Sequence, residues 1–230
     1  MNGSWRHYLT KQWRYLWAPI FNAGKIAKSL IKEEIDVLCL AEVDTGSIRN
    51  RFFSQVKKIS FLLNMPYFTS APKYHPKSFF KFIPLLRKHH DAIVSRLDGK
   101  NVKHYLSFGT KKLMQEFIVN NISIFTVHLS LLSKNIRKKQ LKEIGEIMNK
   151  CPRSHILCGD FNIFYGLDEV KSFIKETGMQ LVDLPASFPS YKPNRHLDLF
   201  FVSPDINIKK SGVIRTESSD HLPVWIEIKD

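Results

Sequence analysis

Short apolar runs recur along the chain, each about as long as one β-strand and bounded by polar or turn-forming residues. Such runs are typical of buried strands. Two of them, 113–119 and 122–129, are separated only by Asn120 and Asn121. Because asparagine tolerates the positive φ of a tight turn, this pair predicts a β-hairpin. The other predicted strands are 36–41, 91–97, 155–158, 197–202, 213–215 and 224–228.

Helical spacing of apolar residues predicts helices between these strands. One of them is expected to be capped by Thr45. Its apolar stripe consists of Ile48, Phe52, Val56, Ile59 and Leu63. The other predicted helices are 23–34, 135–148 and 167–176. Because many strands and a hairpin accompany only a few helices, we expect an α+β fold with mixed sheets covered by helices, and not a doubly wound parallel sheet.

The composition supports one globular core. The chain has 230 residues, 43% of them hydrophobic, so we expect a single domain, residues 1–230, that acts as a monomer. No apolar run approaches the roughly 18 residues of a membrane span. The three cysteines, Cys39, Cys151 and Cys158, match no zinc or disulfide pattern.

The charge is strongly positive, with a formal net charge of +14. This balance favours polyanionic partners such as nucleic acid, acidic lipid headgroups or phosphorylated small molecules, although a solvated basic surface would also account for it. Segment 72–90 carries five Lys or Arg residues and no acid, with Phe79, Phe80 and Phe82 among them. Two interpretations stay open: a flap that touches a lipid surface or an extended polyanion, or a loop whose aromatic rings pack on the core.

Polar side chains follow or end several predicted strands. Glu42 follows the run 37–41, and a carboxylate there suits Mg²⁺ or Mn²⁺. His128 lies at the end of another strand, where it is either a structural histidine or a site residue. Asp160 and Asn162 follow Gly159, and their spacing allows both to point to one side, where they could orient a water and bind a phosphate oxygen. An Asx-type turn would explain the same pair.

Two further acids lie near histidines in the C-terminal part. Asp198 stands in an apolar strand, and a buried carboxylate needs a partner, which a histidine would supply. Asp220 and His221 precede the last strand and place a candidate metal ligand beside a candidate proton acceptor.

Six motifs in order resemble the endonuclease/exonuclease/phosphatase superfamily, which includes deoxyribonuclease I, exonuclease III-type nucleases, neutral sphingomyelinases and inositol polyphosphate 5-phosphatases. The resemblance covers about residues 25 to 228. The motifs are LCLAEVD, DAIVSR, TVHLS, CGDFN, LDLFFVS and SSDHLPV. The resemblance implies a four-layer α/β/β/α sandwich, with two packed mixed sheets flanked by helices, and Mg²⁺-dependent hydrolysis of a phosphoester.

The resemblance also implies roles for individual residues. Glu42 corresponds to the metal-binding glutamate, and His128 to a histidine that contacts phosphate. Asp160 and Asn162 correspond to the pair that positions the attacking water and steadies the transition state. Asp198 would orient the catalytic His221, and Asp220 would lie near the metal. Whether His221 or Asp160 is the general base stays open.

The N-terminal region departs from the family pattern. The family begins with a strand that ends in asparagine, but no apolar strand precedes the region 5–22, and Asn2-Gly3 is the one candidate. The expectation is that the strand is missing or that the natural start lies upstream. The first residues contain no signal peptide, so cytoplasmic residence is the default expectation, and an upstream start would open secretion or membrane association.

The sequence therefore predicts a metal-dependent phosphodiesterase or phosphatase that acts by direct attack of water, with nucleic acid and phospholipid or inositol phosphate as alternative substrates. The rival interpretation is a catalytically weakened protein of the same fold that binds a polyanion. Mg²⁺-dependent turnover of a generic phosphodiester separates the two.

Overall fold

The computed structural model describes residues 20–47, 52–72, 89–131, 133–216 and 218–229. The expectations about the N-terminal strand and about Phe79, Phe80 and Phe82 fall outside these residues. No helix in the described part of the chain is long and apolar enough to cross a membrane. The three cysteines are free thiols.

The described residues form four helices, one 3-10 turn and eleven strands. The helices are α1 (Ile20–Leu30), α2 (Gln55–Leu62), α3 (Lys134–Met148) and α4 (Lys171–Thr177), with the 3-10 turn at Leu167–Glu169. The strands are β1 (Val37–Asp44), β2 (Tyr67–Pro72), β3 (His89–Ser95), β4 (Lys100–Tyr105), β5 (Leu113–Val119), β6 (Ile122–His128), β7 (Ser154–Asp160), β8 (Gln180–Leu181), β9 (Asp198–Val202), β10 (Ile208–Val213) and β11 (Val224–Ile228).

The largest sheet has six strands in the order β4-β5-β6-β7-β9-β8. It is a mixed sheet, because β6 and β7 are parallel while all other neighbouring strands are antiparallel. The parallel pair is connected by the crossover helix α3. The described strands on its other side form two antiparallel ladders, β1-β3-β2 and β10-β11.

Four apolar clusters fix the layers. One face of the six-stranded sheet packs against α3 and α4, with Phe125 and Phe201 at the centre of the cluster. Its other face packs against β10-β11 in one cluster and against β3 in another, where Ile93 meets Phe117. The outer face of β1-β3 is covered by α1 and α2. The α+β four-layer sandwich predicted from the sequence is therefore the observed fold.

The hairpin predicted at Asn120 and Asn121 joins β5 to β6. Both residues have positive φ, 47° and 61°. The β5–β6 register runs from Val119↔Ile122 at the turn to Met114↔Val127. The turn therefore sets which β6 side chains face the core and brings His128 to the far end of the strand.

The predicted start of the helix after Thr45 is wrong. The carboxylate of Asp44 accepts hydrogen bonds from the backbone N–H of Gly46 and Ser47, at 2.8 and 2.7 Å, and so folds this segment into a turn. The helix begins only at Gln55, and its cap is Ser54. Of the predicted stripe, Val56, Ile59 and Leu63 are buried, Phe52 is exposed, and Ile48 is outside the described residues.

Several other boundaries differ from the sequence prediction. Strands β2, β4 and β8 were not predicted, and β10 lies at 208–213 instead of 213–215. Strands β4 and β10 are rich in lysine and polar residues, so they lack an apolar run. The helix predicted at 167–176 is split into the 3-10 turn and α4.

Candidate active site

Strand ends from both sheet layers meet at one edge of the sandwich. His128 ends β6 and pairs in register with Asp160, which ends β7. Asp160 in turn pairs with Asp198, the first residue of β9. A row of three polar residues across neighbouring strands therefore lies at the edge where β6 and β7 finish.

Gly159 allows β6 and β7 to approach closely beside this row. It has a φ of 138°, and a Cβ atom added there would stand 1.9 Å from the carbonyl oxygen of Val127. No side chain fits in that gap. The glycine before Asp160 therefore sets the register that brings Asp160 beside His128.

Glu42 reaches the same edge from the other layer. It lies within β1 and not after it, at a bulge between Leu40 and Val43. Its φ is 57°, and its backbone N–H donates to the Asp91 carboxylate at 3.0 Å. A bulge redirects the side chain of a strand residue, and an uncommon positive φ marks a position held by its surroundings. Asp91, which the sequence did not single out, supports this conformation.

Direct contacts join Glu42 to the polar row. Its Oε1 lies 3.6 Å from His128 Nδ1, and His128 Nε2 lies 3.2 Å from Asp160 Oδ2. His128 and Asp160 are buried, whereas the Glu42 side chain is 45% exposed. The structure thus brings three of the predicted residues into one continuous group that opens to solvent at Glu42.

Lys111 is a member of this group that sequence reasoning missed. Its Nζ lies 3.7 Å from Glu42 Oε1 and contacts His128 Nε2. The residue belongs to the loop between β4 and β5, and Gln140 of α3 fixes its backbone carbonyl at 2.7 Å. A lysine among many in a basic chain carries no local signal, so only the fold reveals its position.

Asp160 and Asn162 share one loop, as their spacing suggested. Asp160 Oδ1 accepts from the backbone N–H of Asn162 at 2.9 Å, and Asn162 Nδ2 donates to the Leu129 carbonyl at 2.9 Å. Burial raises the pKa of Asp160, but the His128 hydrogen bond and the charges of His128, His221 and Lys111 outweigh it and lower the pKa overall. The carboxylate is therefore ionised at neutral pH.

Asp198 and His221 form the contact predicted from the sequence. His221 Nδ1 lies 2.7 Å from Asp198 Oδ2, and the buried Ser187 hydroxyl donates to the same oxygen at 2.5 Å. The backbone carbonyl of Ser187 accepts a hydrogen bond from the Leu222 backbone N–H at 2.8 Å, which anchors the loop that carries His221. Ser187 is a second supporting residue that had no recognisable signal in the sequence.

Three carboxylates surround the His221 ring with negative charge. Burial lowers the pKa of His221, but the Asp198 hydrogen bond and the charges of Asp198, Asp160 and Asp220 raise it to about 9. Asp220 itself is exposed, and its backbone carbonyl accepts a hydrogen bond from the Ser190 backbone N–H at 2.7 Å. His221 therefore carries a proton at neutral pH and faces the ionised Asp160.

A buried ion pair braces the two loops that leave the site. Arg137 of α3 and Glu169 are each 1% exposed and are joined by hydrogen bonds of 2.7 to 3.0 Å. Arg137 also donates to the carbonyls of Ser130 and Leu131, and Glu169 accepts from the Tyr165 N–H. The segments that follow His128 and Asn162 are thus held by one interaction.

The donor set suits a sparsely ligated hard cation. Within the described ranges, no group of three or more His, Cys, Asp or Glu side chains is arranged to hold a metal ion. Mg²⁺ commonly needs only one or two carboxylates and completes its shell with water and substrate phosphate. Glu42 offers such a carboxylate, half open to solvent, and this fits Mg²⁺ or Mn²⁺ better than a closed zinc-type site.

These features define a class of protein: a four-layer α+β sandwich with carboxylate, imidazole and amide groups gathered at one edge. A sequence profile of the Endonuclease/Exonuclease/phosphatase family matches residues 20–221. The chain belongs to this family. No curated protein sequence matches it.

Solved structures share the fold at low identity. A functionally unknown conserved protein from Enterococcus faecalis V583 is 16% identical, with a TM-score of 0.73, and the match covers 95% of this chain and 94% of that one. The mannosyl-6-phosphatase Bt3783 of Bacteroides thetaiotaomicron VPI-5482 is 17% identical, with a TM-score of 0.67 and 91% coverage of both chains. A beta toxin mutant from Staphylococcus aureus with bound magnesium ions is 17% identical, with a TM-score of 0.67 and 94% coverage of both.

Proposed function

We propose that this protein is a divalent-metal-dependent phosphoesterase that hydrolyses its substrate by direct attack of water. The observation that carries the proposal is the continuous polar group Glu42–His128–Asp160, which faces the Asp198–His221 pair. Family membership supports the reaction class. A neighbour named a phosphatase and another with bound magnesium support phosphoester chemistry and the metal.

Asp160 is the residue proposed to take the proton from the attacking water. It is a buried, ionised carboxylate, held in place by His128 and by the backbone of Asn162. A positioned carboxylate can act as a general base when the water lies within hydrogen-bond reach. Asn162 contributes a neutral amide to the same loop and is proposed to bind a phosphate oxygen.

His221 is proposed to act as a cation toward the phosphate. Asp198 engages Nδ1, which leaves Nε2 for the substrate. An imidazolium placed where negative charge develops stabilises the transition state. Lys111 would bind a phosphate oxygen beside Glu42, and His128 would hold Asp160 and Lys111 in place.

The metal would be held by Glu42, with Asp220 as the second carboxylate. When bound, Mg²⁺ or Mn²⁺ would polarise a phosphate oxygen and offset the charge that develops there.

The test is hydrolysis of bis(p-nitrophenyl) phosphate by the purified 230-residue chain. We expect Mg²⁺-dependent turnover that EDTA abolishes, and a loss of at least about 100-fold in kcat for Asp160→Asn, because general-base catalysis contributes about 10²- to 10⁴-fold. Glu42→Gln should raise the Mg²⁺ concentration needed for half-maximal rate.

A matched control is Glu227→Gln, which removes a carboxylate of β11 that pairs with Lys209. It should leave turnover unchanged. Absence of turnover in the wild type with Mg²⁺ and with Mn²⁺ would refute the enzyme proposal and leave a polyanion-binding protein on the same fold.

A further inference from the structure

Aromatic rings stand exposed around the site edge, each with a cation over its face. We call them the cation–aromatic rim. Lys139 Nζ lies 4.9 Å from the ring centroid of Phe108, Arg195 Cζ 5.6 Å from that of Phe164, and Lys134 Nζ 5.8 Å from that of Tyr165. A cation within about 6 Å of a ring centroid interacts favourably with its π-face.

The rim adjoins the proposed catalytic residues. Phe164 and Tyr165 follow Asn162 in the same loop, and Phe164 meets Phe188 edge to face at 6.3 Å. Phe188 in turn lies 4.8 Å from the ring of His221. A chain of rings therefore connects the rim to the imidazole.

The Phe108 end of the rim is fixed to the other side of the site. Gln140 Nε2 donates to the carbonyls of Phe108 and Lys111, at 3.1 and 2.7 Å. Phe108 therefore belongs to the loop that delivers Lys111 to Glu42. The cations Lys134 and Lys139 both lie on α3, each over the ring of a different loop.

The rim rings are too exposed to be core residues. Tyr165 is 73% exposed, Phe108 41% and Phe164 36%. Exposed apolar groups that cluster beside a site usually mark a binding surface. A cation lies over one face of each ring and can pair with a phosphate. The surface therefore combines aromatic rings, on which a base can stack, with positive charges.

We propose that the cation–aromatic rim binds single-stranded nucleic acid, with bases stacked on the rings and backbone phosphates paired with Lys134, Lys139 and Arg195. This inference rests on the proposed function, because it names the substrate class that would carry the scissile phosphate to Asp160 and His221. Base–aromatic stacking combined with a basic groove is how proteins hold single strands. The chain's net charge of +14 adds long-range attraction.

Neither duplex nucleic acid nor a membrane matches the rim as well. In a duplex the base faces are stacked on one another, so the rings would find none to contact. In a membrane, insertion of the rings into hydrocarbon would also carry in the ammonium and guanidinium groups that lie over them, and burying these charges is costly.

The test measures binding of a fluorescein-labelled oligothymidylate of about twelve nucleotides in the presence of EDTA, by anisotropy. We expect Tyr165→Ala to weaken binding roughly 5- to 100-fold, through the loss of one stacked base. The matched control is Phe61→Ala on α2, where a ring that is 84% exposed lies away from the rim. It should leave the affinity unchanged.

Two further arms separate stacking from charge. The wild type should bind oligothymidylate more tightly than an abasic strand of equal length, and Tyr165→Ala should remove much of that preference. Lys139→Met should reduce the slope of log K against log salt by about 0.7, while the exposed Lys57→Met on α2 should not.

Equal affinity for the abasic strand and oligothymidylate would overturn the inference, as would an unchanged affinity in Tyr165→Ala. Tyr165-dependent binding to phosphatidylserine vesicles without oligonucleotide binding would overturn it in favour of a lipid surface. Because binding is scored in EDTA, it is independent of turnover. Oligonucleotide binding without hydrolysis of bis(p-nitrophenyl) phosphate would refute only the enzyme proposal, and hydrolysis without oligonucleotide binding only the rim.

Discussion

Asp198 illustrates how much a single side chain can disclose in a sequence. A carboxylate in the apolar strand β9 needs a partner, and the Nδ1 of His221 supplies it at 2.7 Å. Glu42 is the opposite case. Its proximity to the strand end was predictable, but the bulge that turns its side chain toward His128 depends on Asp91, a residue of another strand. Contacts made between distant segments leave no local pattern in a sequence.

The Asp198–His221 contact leads to a prediction at this scale. Asp198→Asn keeps the size of the side chain but removes the negative charge that orients the imidazole and favours its protonated form. We expect kcat for bis(p-nitrophenyl) phosphate to fall by on the order of 10²-fold with KM changed much less, because the interaction is proposed to serve the transition state. The measurement is steady-state kinetics beside Glu227→Gln. A variant with a raised KM and an unchanged kcat would assign Asp198 to substrate binding instead.

Among the elements, the parallel pair β6–β7 does most to build the site. Its two strands end at His128 and Asp160, and α3 connects them on the outer face of the sheet. The apolar runs of both strands and the helical periodicity of α3 were visible in the sequence. Strand β6 and helix α3 were therefore predicted to within one residue, while the predicted strand 155–158 ended before Gly159 and Asp160 of β7. The edge strands β2 and β4 were not predicted. The sequence of β4 is polar and gains strand structure only from its neighbours, whereas the strand-favouring residues 67–69 of β2 form a run too short to be singled out.

Gly159 gives a prediction for this pair. In Gly159→Ala the new Cβ would meet the Val127 carbonyl at 1.9 Å, so the β6–β7 ladder must separate or the variant must not fold. We expect a loss of more than about 3 kcal/mol in the free energy of unfolding, measured with urea. The control is Gly178→Ala at the end of α4, which has a φ of 68° and open space around it. It should cost only about 1 to 2 kcal/mol. Equal losses would show that the close approach is unimportant.

For the molecule as a whole, the layer order was predictable and the supporting polar contacts were not. Alternating runs, the hairpin and the family motifs were sufficient for the sandwich and for its edge. The buried pair Arg137–Glu169 was not foreseen, although Arg137 is the one arginine of α3 and lies four residues before Leu141 on the buried face of the helix. Lys111 lies in a loop, where no periodic pattern marks a buried position. Both interactions join residues that only the complete fold brings together.

The pH dependence of stability is a prediction at this scale, carried by buried Glu116 in the six-stranded sheet. Burial raises its pKa, but hydrogen bonds from Ser123 and His104 outweigh this and hold the pKa below its usual 4.5. A carboxyl with a lowered pKa stabilises the fold above its unfolded pKa and loses that contribution as the pH falls through the folded value.

The wild type should therefore lose Tm as the pH falls below about 4.5, and Glu116→Gln should show a smaller loss over the same range. The measurement is the Tm of both proteins at pH 7, 5, 4 and 3. Glu33→Gln, at an exposed position beyond α1, serves as the control and should follow the wild type. A Glu116→Gln curve parallel to the wild type would contradict the assignment.

Glu42 and His128 stand on opposite sides of the interior apolar layer, the first in the β1-β3-β2 ladder and the second in the six-stranded sheet. Their 3.6 Å separation therefore depends on the thickness of the layer in which Ile93 packs against Phe117. A methyl group gained or lost there would change the distance between two halves of the proposed catalytic site without touching the substrate. On the proposed chemistry, substitutions at Ile93 or Phe117 should therefore change turnover as well as stability, and a pair of changes that keeps the layer thickness should be tolerated better than either change alone.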